Sequence, residues 1–328
     1  MSSVITLVNT EPMDAQLALL LAAVLLDALL GDPDYPLHPI RLLGHASIAL
    51  ERRFFARGWD GRIAGAIHGL AVTAGAVVAW WSMRLALALL HPALAWLWDL
   101  YIAYSLLCAR DLLAHGRRVL VVLDDLPAAR SQLGWLVSRD TEGLDRGGVV
   151  RATIESLAEN LTDGVLTPLW ALALFGLPGI IIAKAVSSLD SMVGYRTERY
   201  CRFGWPAARS DDLLHWVPAR LSVPLLAVAA ALVGQHWRDV LPAARRYHAA
   251  LPSPNSGWSE AAAAGALRVR LAGPVSYHGA WQDKPWMGDD AWPVDLTGDD
   301  LRRALRLVAV AAGLAALVAV ALFLVMRG

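Results

Sequence analysis

The sequence predicts an all-α, polytopic integral membrane protein with about 4–6 membrane-embedded helices and a polar cytoplasmic face. Three observations carry this. Of 328 residues, 56% are hydrophobic and 18% charged, against roughly 25% charged in soluble domains. Apolar runs near the roughly 20 residues needed to cross a bilayer recur along the chain. Arginine concentrates in particular stretches between runs, as the positive-inside rule requires of cytoplasmic loops. Formal net charge is zero, so no basic footprint points to nucleic acid; the expected partner surface is the lipid bilayer.

The chain reads as one membrane-embedded domain, 1–328, with spans at about 15–30, 63–90, 93–109, 165–186, 217–234 and 304–326. Polar segments 31–62, 110–164, 187–216 and 235–303 separate them. Residues 1–14 hold no Lys or Arg, so they lack the basic region of a secretory signal. Asp27, near the end of the first run, is placed to face a polar site. Arg41, Arg52, Arg53, Arg57 and Arg62 make the next loop cytoplasmic. His91-Pro92 separates the second and third runs, and Asp99 falls inside the third. Residues 110–126 read as an amphipathic surface helix. Gly176-Leu-Pro178-Gly179 interrupts the fourth run and predicts a broken or re-entrant helix. If runs four and five both cross, the 187–212 loop lies outside despite four arginines; the charge pattern favours re-entrant or paired segments. Trp80, Trp81, Trp96, Trp98 and Trp237 fit interfacial positions. Alanine-rich 261–264 reads as helix, and the DLTGDD stretch before the last span offers N-cap residues. Cys108 and Cys201 match no metal or redox spacing and read as reduced thiols.

The candidate chemistry lies in the polar stretches. In GDPDYPLHPIR, Asp32, His38 and Arg41 either bind a phosphorylated ligand or form a Pro-rich elbow whose arginine meets headgroups. In SRDTEGL, Arg139 and Asp140 form either a surface pair or a planar fork for phosphate or carboxylate. Glu155, Glu159 and Asp163 fall at i, i+4 and i+8, so a helix over 148–162 puts three carboxylates on one face. That face is either solvated or holds a hard cation such as Mg²⁺, with the Asn160 amide beside it. Lys184 either snorkels to the interface or holds a phosphate. Asp190 sits in SSLDSMVGY, which ends at Tyr195, and needs a partner inside lipid. In ARSDD, Arg209 is a candidate phosphate ligand. Asp211 and Asp212 are either metal oxygens or part of an N-cap at Ser210. SPNSGWSE reads first as a turn into a helix capped by Ser256 or Ser259, with Asn255 and Glu260 within reach of a ligand. The sequence has no Walker-type loop, GxSxG elbow or HExxH.

In order, DALLGDPDYPLHPIRLLG, SRDTEGL, ATIESLAENLTDG, KAVSSLDSMVGY, ARSDDLLHWVPARL, SPNSGWSEAAAAGAL and GPVSYHG resemble the adenosylcobinamide-phosphate synthase family of cobalamin biosynthesis, the CbiB/CobD family. Two positions depart from its pattern: Ser187 replaces an Asn, and Ala272-Gly273 replaces a Gly-Gly pair, which implies a less permissive turn. The resemblance implies a multi-pass protein of the bacterial inner membrane with a cytoplasmic site. It implies ATP-dependent amide formation between adenosylcobyric acid and aminopropanol phosphate, with the corrinoid as substrate and not as a prosthetic group. ATP and Mg²⁺ are the implied co-substrate and metal, and other cobalamin-pathway enzymes are candidate partners. Under this reading Glu155, Glu159, Asp163 and Asp190 are metal candidates, with Asp211 and Asp212 behind them. Arg41, Arg139, Lys184 and Arg209 are phosphate candidates, and His38 or Asp32 is the candidate base. The competing readings are a transporter, a sensor-type relative or a scaffold for pathway proteins. A transporter should line its spans with acids, and here only Asp27 and Asp99 lie in clear spans.

Overall fold

The computed structural model describes residues 13–32, 35–277 and 279–327. Pro33, Asp34 and His278, which belong to two of the motifs above, lie outside the described residues, as do residues 1–12. The first apolar run forms α1 (Met13–Leu30). After the Pro-rich elbow comes α2 (Pro39–Phe55), with Pro39 in its first turn, where a missing N–H is no loss. The second run is α3 (Arg62–Leu90). The third is α4 (Pro92–Ser105), started by Pro92 and capped by His91, whose ring accepts from Ala93 N–H. α5 (Ala109–Val121) is amphipathic: Leu112, Gly116 and Val119 are buried, while Arg110, Arg117 and Arg118 are exposed. α6 (Leu126–Leu133) is short.

α7 (Arg146–Asn160) runs through a π-helical turn (Leu161–Leu166) into α8 (Thr167–Val193). The break foreseen in the fourth run sits at Gly176, whose φ of 67° is available to glycine at little cost, with Pro178 just beyond. Then follow α9 (Trp205–Leu214), α10 (Trp216–Leu232), α11 (Trp237–Tyr247) and α12 (Ser256–Leu267). Two small antiparallel pairs come next: β1 (Leu271–Ala272) with β4 (Trp286–Met287), and β2 (Val275–Tyr277) with β3 (Ala280–Gln282). α13 (Gly298–Arg327) closes the described chain. Its cap comes from DLTGDD: Asp300 accepts from both the N–H and the hydroxyl of Thr297.

Five helical stretches are long and apolar enough to cross a membrane: Met13–Leu30, Arg62–Leu90, Pro92–Val121, Arg146–Val193 and Gly298–Met326. α9 and α10 pass the same test together, with a 41° bend between them, which makes up to six. The protein is therefore an all-α polytopic membrane protein.

The chain, read from sequence as one domain, forms two compact units. Of the described residues, the first unit takes those up to Leu107, Pro168–Asp211 and those from Ala316 on; the second takes Cys108–Thr167 and Asp212–Ala315. In the first, Leu43, Val72, Ala185 and Leu189 form one buried cluster, and Ala64, Val193 and Phe203 another. In the second, α12 is buried on every side and packs against α7, α10 and α11. Its small residues permit this: a Cβ on Gly265 would lie 2.5 Å from the Asp239 carbonyl oxygen. Neither cysteine is in a disulfide, and Cys108 Sγ donates to the Gly164 carbonyl at 3.2 Å.

Several local expectations change. Trp80 is buried within the protein, and its indole N–H donates to Asp99 Oδ1 at 2.8 Å. Trp98 donates to the Trp80 carbonyl and Trp96 to that of Ala15, so these N–H groups are satisfied by the chain. Ser210, Asp211 and Asp212 lie inside α9 and do not cap it. Asn255, not Ser256 or Ser259, stands at the N-cap of α12, and Ser253 Oγ accepts from the N–H groups of Asn255 and Ser256.

Asp99 also accepts from Arg84 Nε at 2.8 Å, with both side chains nearly buried. A charge within a span survives only when paired, and removing one member of a buried pair costs about 3–5 kcal/mol. Asp99→Ala should lower thermal stability in detergent accordingly, and Arg84→Met in the same chain should restore part of the loss.

Candidate active site

The second unit carries a buried charged centre built on α7. Asp145 caps the helix by accepting from Gly148 N–H at 2.7 Å. α5, α6, α12 and β1 pack around α7, so 11 of its 15 residues are buried. On the face expected to be solvated or metal-bound, Glu155 is buried and Glu159 and Asp163 are half-buried. Glu155 is 2% exposed. A carboxylate there is tolerable only with donors around it, and both of its oxygens have one. Arg139 Nη2 lies 2.7 Å from Oε2, and the Ala272 N–H donates to Oε1 at 2.8 Å. Burial disfavours the Arg139 charge, but Glu155, then Tyr277 and Glu260, favour it, and its pKa is raised. Arg139 is thus a fixed cation. The surface salt bridge between Arg139 and Asp140 considered from sequence gives way to this buried ion pair.

Asp140 has a different task. Its carboxylate accepts from Ser276 Oγ at 2.6 Å and Gly279 N–H at 2.8 Å, and its N–H donates to the Ser276 carbonyl. The Arg139-Asp140 dipeptide therefore joins the α7 carboxylate to the β2–β3 hairpin. Just beyond that hairpin, Lys284 Nζ donates to Tyr277 Oη at 3.1 Å.

Glu260, on α12, is 4% exposed. Burial first, then the carboxylates of Glu159 and Glu155, push its pKa well above the ordinary carboxylate range; Arg139 and Lys284 pull the other way. It can hold a proton where an ordinary carboxylate has lost one. Arg139, Glu155, Glu159 and Glu260 thus act on one another, and sequence reading missed the supporting Ala272 N–H, Tyr277 and Lys284.

The residues that complete this unit's candidate set are tied into the fold. Asn160 donates to the carbonyl and hydroxyl of Ser156. Asp163 lies on the π-helical turn, a geometry common at functional sites, with Oδ1 3.6 Å from the buried His215 Nε2. Asn255 donates to the Asp212 carbonyl at 2.8 Å, and its amide oxygen faces Arg220 Nη1 at 3.4 Å, so its amide spans α9, α10 and α12.

The first unit holds the other candidates. His38 Nε2 lies 2.8 Å from Asp32 Oδ1, while His38 Nδ1 accepts from Ile40 N–H at 3.2 Å. An accepting Nδ1 places the proton of a neutral ring on Nε2, which donates to Asp32. Both nitrogens are engaged, so the candidate base is a structural dyad as it stands. Arg41, Tyr195 and Arg209 are exposed, Lys184 and Asp211 half-buried. Arg209 lies 6.0 Å from the Trp205 ring centroid. Asp190 is half-buried beside Gly194, where a Cβ would fall 1.9 Å from its Oδ1.

Mg²⁺ fits this donor set only in part. Among the described residues no three His, Cys, Asp or Glu converge as a metal cluster. Glu155, expected as a ligand, already faces a guanidinium and an N–H. Glu159, Asp163, Asp190, Asp211 and Asp212 stay as candidates, and Mg²⁺ commonly takes one or two carboxylates with substrate oxygens and water.

Ala272 has φ 58° and Gly273 φ 80°. The left-handed region costs an L-residue about 1 kcal/mol, which Ala272 bears while aiming its N–H at Glu155. Ala272→Gly should therefore stabilise the protein by about 0.5–1 kcal/mol in thermal melts. At Gly273 a Cβ would fall 2.7 Å from the Trp286 ring.

Fold and centre together define a multi-pass α-helical membrane protein with a buried carboxylate–guanidinium centre. The chain belongs to the CobD/Cbib protein family, whose model matches residues 20–308. It is 39% identical over 318 residues to cobalamin biosynthesis protein CobD of Photorhabdus laumondii, covering 95% of this chain and 99% of that one. It is 42% identical over 289 residues to the CobD protein of Geobacter metallireducens, covering 85% and 89%. Against cobalamin biosynthesis protein CbiB of Salmonella typhimurium it is 40% identical over 303 residues, covering 89% and 93%. No solved structure matches the chain.

Proposed function

We propose that the protein acts in cobalamin biosynthesis at the bacterial inner membrane. It joins the propionate of adenosylcobyric acid to (R)-1-aminopropan-2-ol O-phosphate in an ATP-dependent step that yields adenosylcobinamide phosphate. The observation that carries this reading is the family match over residues 20–308, with relatives named for cobalamin biosynthesis across nearly the whole chain. The buried centre falls inside the matched stretch. The corrinoid is substrate, not prosthetic group. We place the site on the cytoplasmic face, where ATP is available and other pathway enzymes can hand over substrate.

A carboxylate does not condense with an amine unaided at neutral pH. ATP would supply a phosphoryl group that makes the propionate an acyl phosphate, ADP leaving, and the amine would then displace phosphate to form the amide. A Mg²⁺ held by carboxylates such as Glu159 or Asp163 would offset charge on the phosphates. The chain contributes position and proton transfer. Arg139, oriented by Glu155, offers fixed donors to an anionic group of the substrate. Glu260 in its ionised form would receive the proton that the incoming ammonium must lose, and a raised pKa makes that carboxylate the stronger base. Arg41, Lys184 and Arg209, all in the first unit, stay as separate phosphate candidates. Glu159→Gln and Asp163→Asn should each slow amide formation at least about 10²-fold. Correctly inserted variants that keep wild-type rates would remove both carboxylates from the reaction.

A further inference from the structure

α11 has two unlike faces. Val240, Ala243 and Ala244 are buried. At 100° per residue the opposite face runs Trp237, Leu241, Arg245, Arg238, Pro242 and Arg246 in angular order, and all six are exposed. An apolar strip of Trp237 and Leu241 therefore borders a strip of three arginines. The one acid of the helix, Asp239, is held by Arg268 at 2.6 Å, so the arginine strip keeps its charge. Arg238 lies over the Trp237 ring, 5.2 Å from its centroid.

The apolar strip borders a groove of about 660 Å³ whose other wall is α10, through Val223, Ala227 and Val228. α10 is half of a candidate membrane span, and Val228 is 51% exposed on it. Trp beside Arg next to such a helix is the pattern of an interfacial segment. Arginine at the rim complements a phosphate, and the groove floor complements a hydrocarbon chain.

We propose that α11 lies in the membrane–water interface and, with α10, binds an anionic phospholipid, the acyl chain in the groove and the headgroup on Arg238 and Arg245. A neutral lipid would fill the groove equally well but would leave the arginine strip uncompensated. The inference is independent of the amide-forming activity, and its test does not measure it.

The test is native mass spectrometry of the full-length, detergent-solubilised protein titrated with dioleoyl phosphatidylglycerol or dioleoyl phosphatidylcholine. Phosphatidylglycerol should bind at least about five-fold more tightly, the effect of one basic residue near an anionic surface. Arg238→Gln, Arg245→Gln and Arg246→Gln together should abolish that preference. Val228→Gln, an exposed position, should weaken both lipids. Equal binding of the two lipids by the wild type, or a preference that survives in the triple variant, overturns the proposal. So does loss of the preference on adding millimolar inorganic phosphate, which would assign the arginines to free phosphate.

Discussion

Arg139→Leu is expected to destabilise the protein by about 3–5 kcal/mol, the cost of stranding a buried charge. Glu155 is 2% exposed, and its Oε2 has Arg139 2.7 Å away; without the guanidinium only the Ala272 N–H remains among the donors described above. The loss should appear as a lower Tm in detergent. Arg139→Leu combined with Glu155→Gln should recover much of it, because the neutral amide no longer needs the cation. Activity should not recover in the double variant if Arg139 also holds substrate. The pair therefore separates the structural task of the arginine from its chemical one. An Arg139→Leu variant that melts with the wild type would mean that the ion pair does not form.

Glu260→Gln is expected to do the opposite to stability while slowing the reaction about 10²–10⁴-fold. The folded protein raises the Glu260 pKa, through burial and then Glu159 and Glu155. A carboxyl with a raised folded pKa favours folding in its protonated form. Its contribution is complete below the unfolded pKa and is lost as pH rises through the folded one. Glutamine keeps the neutral shape and cannot ionise, so the variant should match the wild type in acid and exceed it as pH rises through that window. Activity and stability would then move in contrary directions, the mark of a group kept for chemistry. A variant both less stable and fully active would remove Glu260 from the mechanism.

The apolar runs were legible because their length and lack of charge leave few alternatives to a buried or membrane-embedded helix. The run expected at 15–30 is Met13–Leu30, and the interruption at Gly176 and Pro178 is the break in α8. The strands were not legible: at two or three residues each they are too short for an alternating pattern to register. The candidate site was half legible. Arg139, Glu155, Glu159 and Glu260 stood out by residue type in apolar company. Their pairing did not, since Arg139 to Glu155 and Glu155 to Ala272 are contacts across the fold with no periodic signature. The polar residues of α7 suggested a solvated or metal-holding face because sequence shows one helix at a time. The helices that bury it, α5, α6 and α12, lie elsewhere in the chain. The Ala272-Gly273 pair implies a less permissive turn than Gly-Gly, and the φ of 58° at Ala272 is the conformation that glycine would adopt more readily. The sequence offers His38 or Asp32 as a base but not their pairing: His38 Nδ1 caps α2 and its Nε2 lies against Asp32.

The most direct measurement supplies the purified, detergent-solubilised protein with ATP, Mg²⁺, adenosylcobyric acid and aminopropanol phosphate and follows products by mass spectrometry. Amide formation with release of ADP, absent without ATP and strongly reduced in Glu260→Gln, is the predicted result. Folded protein that binds the corrinoid and forms no amide would contradict the account and leave a scaffold or transport role.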